Sequence, residues 1–182
     1  MSKKLIKDKQ ITVKINETLQ NVRGITRHIR NVQDNCMLLG EKLIELGDIE
    51  LGKNLIANGF CHDNSKFYGI EYEFMAPLFA KNQSVDADTK KMKLKMAISH
   101  HSQTNLHHPE AWPSGISSMP DVFLAEFCCD VKSRSEEFGT SLIDWINNVA
   151  TKKWNFSEND VVYKKILKFV NLLCEMPFTQ VN

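Results

Sequence analysis

The six histidines stand at His28, His62, His100, His101, His107 and His108, and five of the six lie between residues 62 and 108. A neutral imidazole offers a lone pair near neutral pH, and carboxylates complete metal sites by offsetting the cation's charge. Asp63 follows His62 directly, and Asp130 stands apart on an element of its own. Neighbouring residues on a helix point about 100° apart, so a His-Asp dipeptide cannot chelate one ion as an i, i+4 pair does. It can serve two ions, the histidine holding one while the carboxylate bridges to a second. Such paired cations activate water and hold a phosphate. His28, set between Ile25, Ile29 and Val32, would reach that centre from the inner edge of its helix.

The elements that carry these residues read as helices. Leu19, Val22, Ile25, Ile29, Val32, Cys36, Leu39, Leu43 and Leu46 recur at spacings of three and four, which predicts a long amphipathic helix ended by Gly47-Asp48. A second stretch through Leu51, Leu55 and Ile56 leads to His62-Asp63. Another covers about residues 70–79, interrupted near Pro77, and Asn82 to Ser84 form a polar connection. Asp86 or Asp88 can cap the helix that delivers His100-His101. From Ser102 to Met119, Pro109, Pro113 and Gly115 break any continuous helix, yet two histidines and Trp112 fall there. Pro120 suits the start of the next helix, whose Val122, Phe123, Phe127 and Val131 face a core while Glu126 and Asp130 share another side. Thr140 and Ser157 are candidate caps for two further helices, and Pro177 stops the last. No alternating strand pattern, internal repeat or dividing linker is visible. The expected fold is all-α: a basic segment over residues 1–14, then one helical bundle over 15–182.

With its helices in place, the order His28, His62-Asp63, Asp130 resembles the signature of the HD-domain metal-dependent phosphohydrolases: one early histidine, a His-Asp dipeptide and a distant aspartate. His62-Asp63-Asn64-Ser65-Lys66 is similar to the superfamily's His-Asp-x-x-Lys form, which implies that Lys66 faces the phosphate. Binuclear members add two histidines before the last aspartate, and His100 or His101 with His107 or His108 would be similar additions. The stretch from His100 to Trp112 also resembles a set of uncharacterised HD-like proteins common in bacteriophage and bacterial genomes.

The resemblance implies a bundle of the HD-domain type and hydrolysis of a phosphate ester or anhydride, in a small molecule such as a nucleotide or nucleotide-derived signal. One or two divalent ions, from among Mn, Fe, Co, Ni and Zn, would be held by His28, His62, Asp63 and Asp130, with His100 and His108 favoured for the second position. Neighbouring histidines cannot both point inward on regular backbone, so His101 and His107 are left to bind phosphate oxygens or protonate a leaving group. Lys66 would act on the same phosphate. Gln103, Asn105, Glu110 and Trp112 are candidates for substrate selection, Trp112 by stacking on a base. Two other readings use similar residues: an HD-fold di-iron oxygenase, and a catalytically silent nucleotide-binding protein.

Composition narrows the field. The 23 basic and 22 acidic side chains nearly cancel, which argues against an extended nucleic-acid surface and leaves a small phosphorylated partner. The five cysteines, at 36, 61, 128, 129 and 174, are odd in number, lack a Cys-x-x-Cys pair and sit in apolar stretches, as reduced cysteines do. No stretch approaches the roughly 20 apolar residues that span a bilayer, and the start lacks a secretory core. A cytoplasmic protein without a membrane partner is expected. Walker, dinucleotide, serine-elbow and His-Glu-x-x-His motifs are missing.

Overall fold

The computed structural model describes residues 3–76 and 85–174, with side chains from residue 11 onward, and no strand occurs among the described residues. The helices are α1 (Lys3–Glu45), α2 (Ile49–Gly59), α3 (Gly69–Met75), α4 (Ala87–Thr104), α5 (Asp121–Phe138), α6 (Leu142–Trp145), α7 (Thr151–Lys153) and α8 (Val161–Cys174). Short 3-10 turns cover Asn64–Phe67, Pro109–Ala111 and Gly115–Ser118, and a π turn over Ile146–Ala150 joins α6 to α7. Residues 3–14, read from sequence as a separate basic segment, are the first turns of α1. Pro77, Asn82 to Ser84 and Pro177 lie outside the described residues. No described helix is long and apolar enough to cross a membrane.

The chain gathers into two compact units, one of residues 1–27 and 63–101, the other of residues 28–62 and 102–182. The second contains the main core. There α1 buries Ile29, Val32, Cys36, Leu39 and Leu43, the three-and-four spacing read from sequence, and His28 lies on the same stripe. The central helix α5 packs on α2 and α8, with Leu124, Phe127, Cys128, Ile166, Phe169 and Val170 buried between them.

Three glycines set how closely α1 meets α2. A Cβ on Gly52 would lie 2.4 Å from the Gly40 carbonyl oxygen, and one on Gly59 would lie 2.7 Å from Cys36 Cβ. Only hydrogen fits at these points. The contact fixes the helix bearing His28 against the helix that leads to His62.

Two caps differ from the sequence reading. The cap of α6 is Ser141, whose Oγ accepts from the Asp144 N–H, because the helix begins one residue later than Thr140 would require. Ser157 does not cap α8; its N–H and hydroxyl donate to the Asp160 carboxylate, and Asp160 is the residue that precedes Val161.

In the first unit Asp86 caps α4, its carboxylate accepting the Thr89 N–H at 2.9 Å and the Thr89 hydroxyl at 2.7 Å. Those two bonds hold its carboxyl below the usual range. Phe74, Ala76 and Ala97 are buried here alongside the polar Asn21, Asp63, Glu71 and His101.

Candidate metal centre

The second unit assembles its site along one stripe of α5. Glu126, Asp130, Ser133 and Glu137 follow at i, i+4, i+7 and i+11, which places them on one helix face. Each of the four meets a partner from α1 or from the segments ending in His62 and His107.

His62 Nδ1 donates to Glu126 Oε1 at 3.0 Å, and His107 Nδ1 lies 3.4 Å from the same oxygen. His28 Nδ1 donates to Glu137 Oε1 at 3.0 Å, and Asn35 donates to the Ser133 hydroxyl at 2.9 Å. An imidazole that donates through Nδ1 carries its lone pair on Nε2. All three Nε2 atoms turn toward Asp130: the distance is 3.2 Å from His28, 4.0 Å from His62 and 3.9 Å from His107. This is the arrangement in which outer carboxylates orient histidine ligands.

His62, His107 and Asp130 each offer one ligand atom, and these atoms lie within 4.8 Å of one another. Two donors each about 2.1 Å from a single ion are separated by about 3.4 Å at a tetrahedral angle and about 4.2 Å when opposite. The separations of His62 and His107 from Asp130, 4.0 and 3.9 Å, fall in that interval. The chemistry also fits, since three carboxylates, Glu126, Asp130 and Glu137, gather around the imidazoles, and Arg134 is engaged with Glu137 at 2.9 Å. A cation would balance the excess negative charge. This buried His/Asp cluster could therefore hold a metal ion.

The first unit holds a second cluster built on the same plan. Glu71, 1% exposed, accepts from His100 Nδ1 at 2.7 Å, from His101 Nδ1 at 2.8 Å and from the Ser65 hydroxyl at 2.7 Å. His101 Nε2 lies 3.3 Å from Asp63 Oδ1, and the other Asp63 oxygen is paired with the Lys66 ammonium. Burial holds the His101 pKa below its ordinary value against the opposing pull of Asp63. Asp63 itself adopts the left-handed region, with φ +54°, where side chains other than glycine, asparagine and aspartate are disfavoured.

Among the sequence candidates, His28, His62, His107 and Asp130 are thus brought together in one unit, and Asp63, Lys66, His100 and His101 in the other. The two His-His pairs split by burial. His101 and His107 are inside, whereas the His100 side chain is 52% exposed and His108 half-buried. Successive helical residues diverge, so α4 can bury only one of His100 and His101.

The candidates for substrate selection are placed differently from one another. Trp112 packs its ring 5.5 Å from Phe123 and donates its N–H to the Leu106 carbonyl, so it braces the loop carrying His107. Glu110 accepts from the Trp154 N–H at 3.2 Å. Gln103 is exposed, and Asn105 donates to Thr104. Burial pushes the thiols of Cys128 and Cys129 far up, which removes both as thiolate nucleophiles.

Sequence reasoning missed Glu71, Glu126 and Glu137 as site residues. Glu126 was legible as the i−4 neighbour of Asp130 within an apolar helix; Glu71 and Glu137 carry no comparable signal.

A family profile covers residues 17–175, nearly the whole helical body and both clusters. The chain belongs to DUF5662, a family of unknown function. No curated protein and no solved structure matches it. The DUF5662 match extends to within eight residues of the chain's end and includes every candidate ligand from His28 to Asp130.

Proposed function

We propose that the protein is a metal-dependent phosphohydrolase, related to the HD-domain enzymes, acting on a small phosphorylated compound of the nucleotide kind. The observation that carries this reading is the convergence of three histidine Nε2 atoms on Asp130, each imidazole backed by a glutamate at Nδ1. The order of His28, His62-Asp63 and Asp130 in the sequence supports it. A divalent ion bound there would lower the pKa of water toward about 7 and polarise a phosphoryl oxygen.

The chain's own residues have separate tasks. His62, His107 and Asp130 would hold the ion, while Glu126 fixes the tautomer of both histidines. His28, held by Glu137, sets the position of the Asp130 carboxylate from the other side. The trio is nearly dry at the imidazoles, with His62 at 0% and His107 at 3%, and open at Asp130, at 17%. Substrate would approach from the aspartate side. In the reaction a water oxygen bonds to phosphorus, the bond to the leaving group breaks, and that group departs with a proton.

The test is metal analysis of the purified full chain followed by a panel of phosphorylated compounds with and without added Mn, Fe, Co, Ni or Zn. Phosphate release from one class that requires the ion, and that is lost in His107→Ala, supports the proposal. Iron-dependent oxygen consumption without phosphate release, or no stoichiometric metal under any loading, overturns it.

A further inference from the structure

A cavity of about 420 Å³ opens in the second unit, and both Asp130 and His108 line it. That volume lies in the range of small-molecule sites, about 300–1,000 Å³. Because Asp130 is the accessible member of the trio, a ligand in this cavity touches the candidate metal centre directly.

The rest of the lining has a definite chemistry. Phe127, Trp145 and Trp154 form one aromatic wall, Trp154 lying edge-on to both at centroid distances of 5.3 and 6.0 Å. Phe138 adds a ring that is 72% exposed, although it closes α5 beside a cavity and would gain by being covered. Two cations stand among these rings. Arg134 reaches Glu137 through Nη1, and its planar guanidinium has five N–H donors, so it can serve an anion as well. The Lys153 ammonium lies 4.2 Å from the Trp154 ring centroid and 3.5 Å from Glu110.

An aliphatic ligand would have no use for the cations, and a bare polyanion none for the rings. Flat aromatic bodies with an anionic end use both, by stacking and by charge-assisted hydrogen bonds. We propose that this cavity seats the aromatic ring of a phosphorylated ligand the size of a mononucleotide, with Arg134 and Lys153 drawing its phosphate toward Asp130. The assignment rests on the hydrolase reading for the fate of the phosphate, and not for the binding itself. None of Phe138, Arg134, Lys153 and Trp154 is singled out by the residue types that mark the metal centre.

The experiment uses the full chain stripped with a chelator, so that binding is read without turnover. Adenosine monophosphate, ribose 5-phosphate and inorganic phosphate are titrated separately, with tryptophan fluorescence and calorimetry as readouts. The proposal requires that adenosine monophosphate quench the fluorescence and bind at least tenfold more tightly than ribose 5-phosphate. Phe138→Ala and Lys153→Gln, both at exposed positions, should each weaken it about fivefold while helix content and metal uptake stay as in the wild type. Equal affinity for adenosine monophosphate and ribose 5-phosphate, or unaltered binding in both variants, overturns the cavity assignment whatever the metal content. The required binding profile in a chain that takes up no divalent ion supports the cavity and removes the hydrolase reading.

Discussion

Glu126 Oε1 accepts a 3.0 Å hydrogen bond from His62 Nδ1 in an environment where neither side chain exceeds 6% exposure. A buried glutamate in that position does more than fill space, because it decides which imidazole nitrogen keeps its lone pair. Glu126→Gln keeps the shape and removes the charge. The expected result is a fall in metal affinity of about 10–100-fold with the helical spectrum unchanged, measured by competition with a chromophoric chelator. Wild-type affinity in this variant would mean that Glu126 has only a packing role.

His107 and His100 provide a contrast within the same sequence pattern. His107→Ala removes a 3%-exposed donor facing Asp130, whereas His100→Ala removes a 52%-exposed side chain that bonds Glu71. Metal content should drop below one-tenth in the first and fall less than twofold in the second, by elemental analysis after desalting. The reverse order would point away from the His62–His107–Asp130 trio.

This contrast also shows what the sequence could and could not reveal. Helices were legible because Ile29, Val32, Cys36, Leu39 and Leu43 repeat at helical spacing and are all buried. The candidate ligand types were legible because five histidines crowd into one stretch. Which member of each His-His pair points inward was not, since it depends on the rotation of α4 and on two 3-10 turns after it that no periodicity announces. The glutamates were hidden for another reason. A buried Glu71, or a Glu137 committed to His28, looks in sequence like any solvated acid, and only the opposing imidazole gives it away.

Asp63 combines a buried carboxylate with a left-handed backbone, and substitutions can separate the two. Glycine enters that region without a Cβ penalty, whereas alanine does not. Asp63→Ala should therefore be less stable than Asp63→Gly by about 1 kcal/mol in the metal-free protein, although both lose the same carboxylate. Chemical denaturation of the pair measures the difference directly. Equal stabilities would mean that the turn after His62 relaxes when the carboxylate is gone.

Gly52 is the tightest of the three glycine contacts between α1 and α2, since a Cβ there would lie 2.4 Å from the Gly40 carbonyl oxygen. Gly52→Ala must push the helices apart, which costs about 1–3 kcal/mol as overpacking does. For a chain of this size the melting temperature should fall by several degrees. Gly24→Ala is the control, because nothing lies within 4 Å of its Cβ position and alanine is the better helix former. It should hold or raise the melting temperature, and metal content should fall in Gly52→Ala alone if the approach of the two helices positions His28 and His62.

Asp86 supplies a pH dependence whose sign can be worked out. Its carboxyl sits below the ordinary aspartate value of about 3.8 because the Thr89 N–H and hydroxyl stabilise the charged form in the folded chain. The unfolded chain then binds a proton more readily, so the capping contribution is present in full above about pH 4 and disappears as pH falls through the lower folded value. Asp86→Ala removes the cap at every pH. The gap in melting temperature between wild type and Asp86→Ala should be largest near neutrality and close progressively below about pH 4. A gap that stays constant down to pH 2 would mean that the neutral carboxyl caps α4 as well as the carboxylate does.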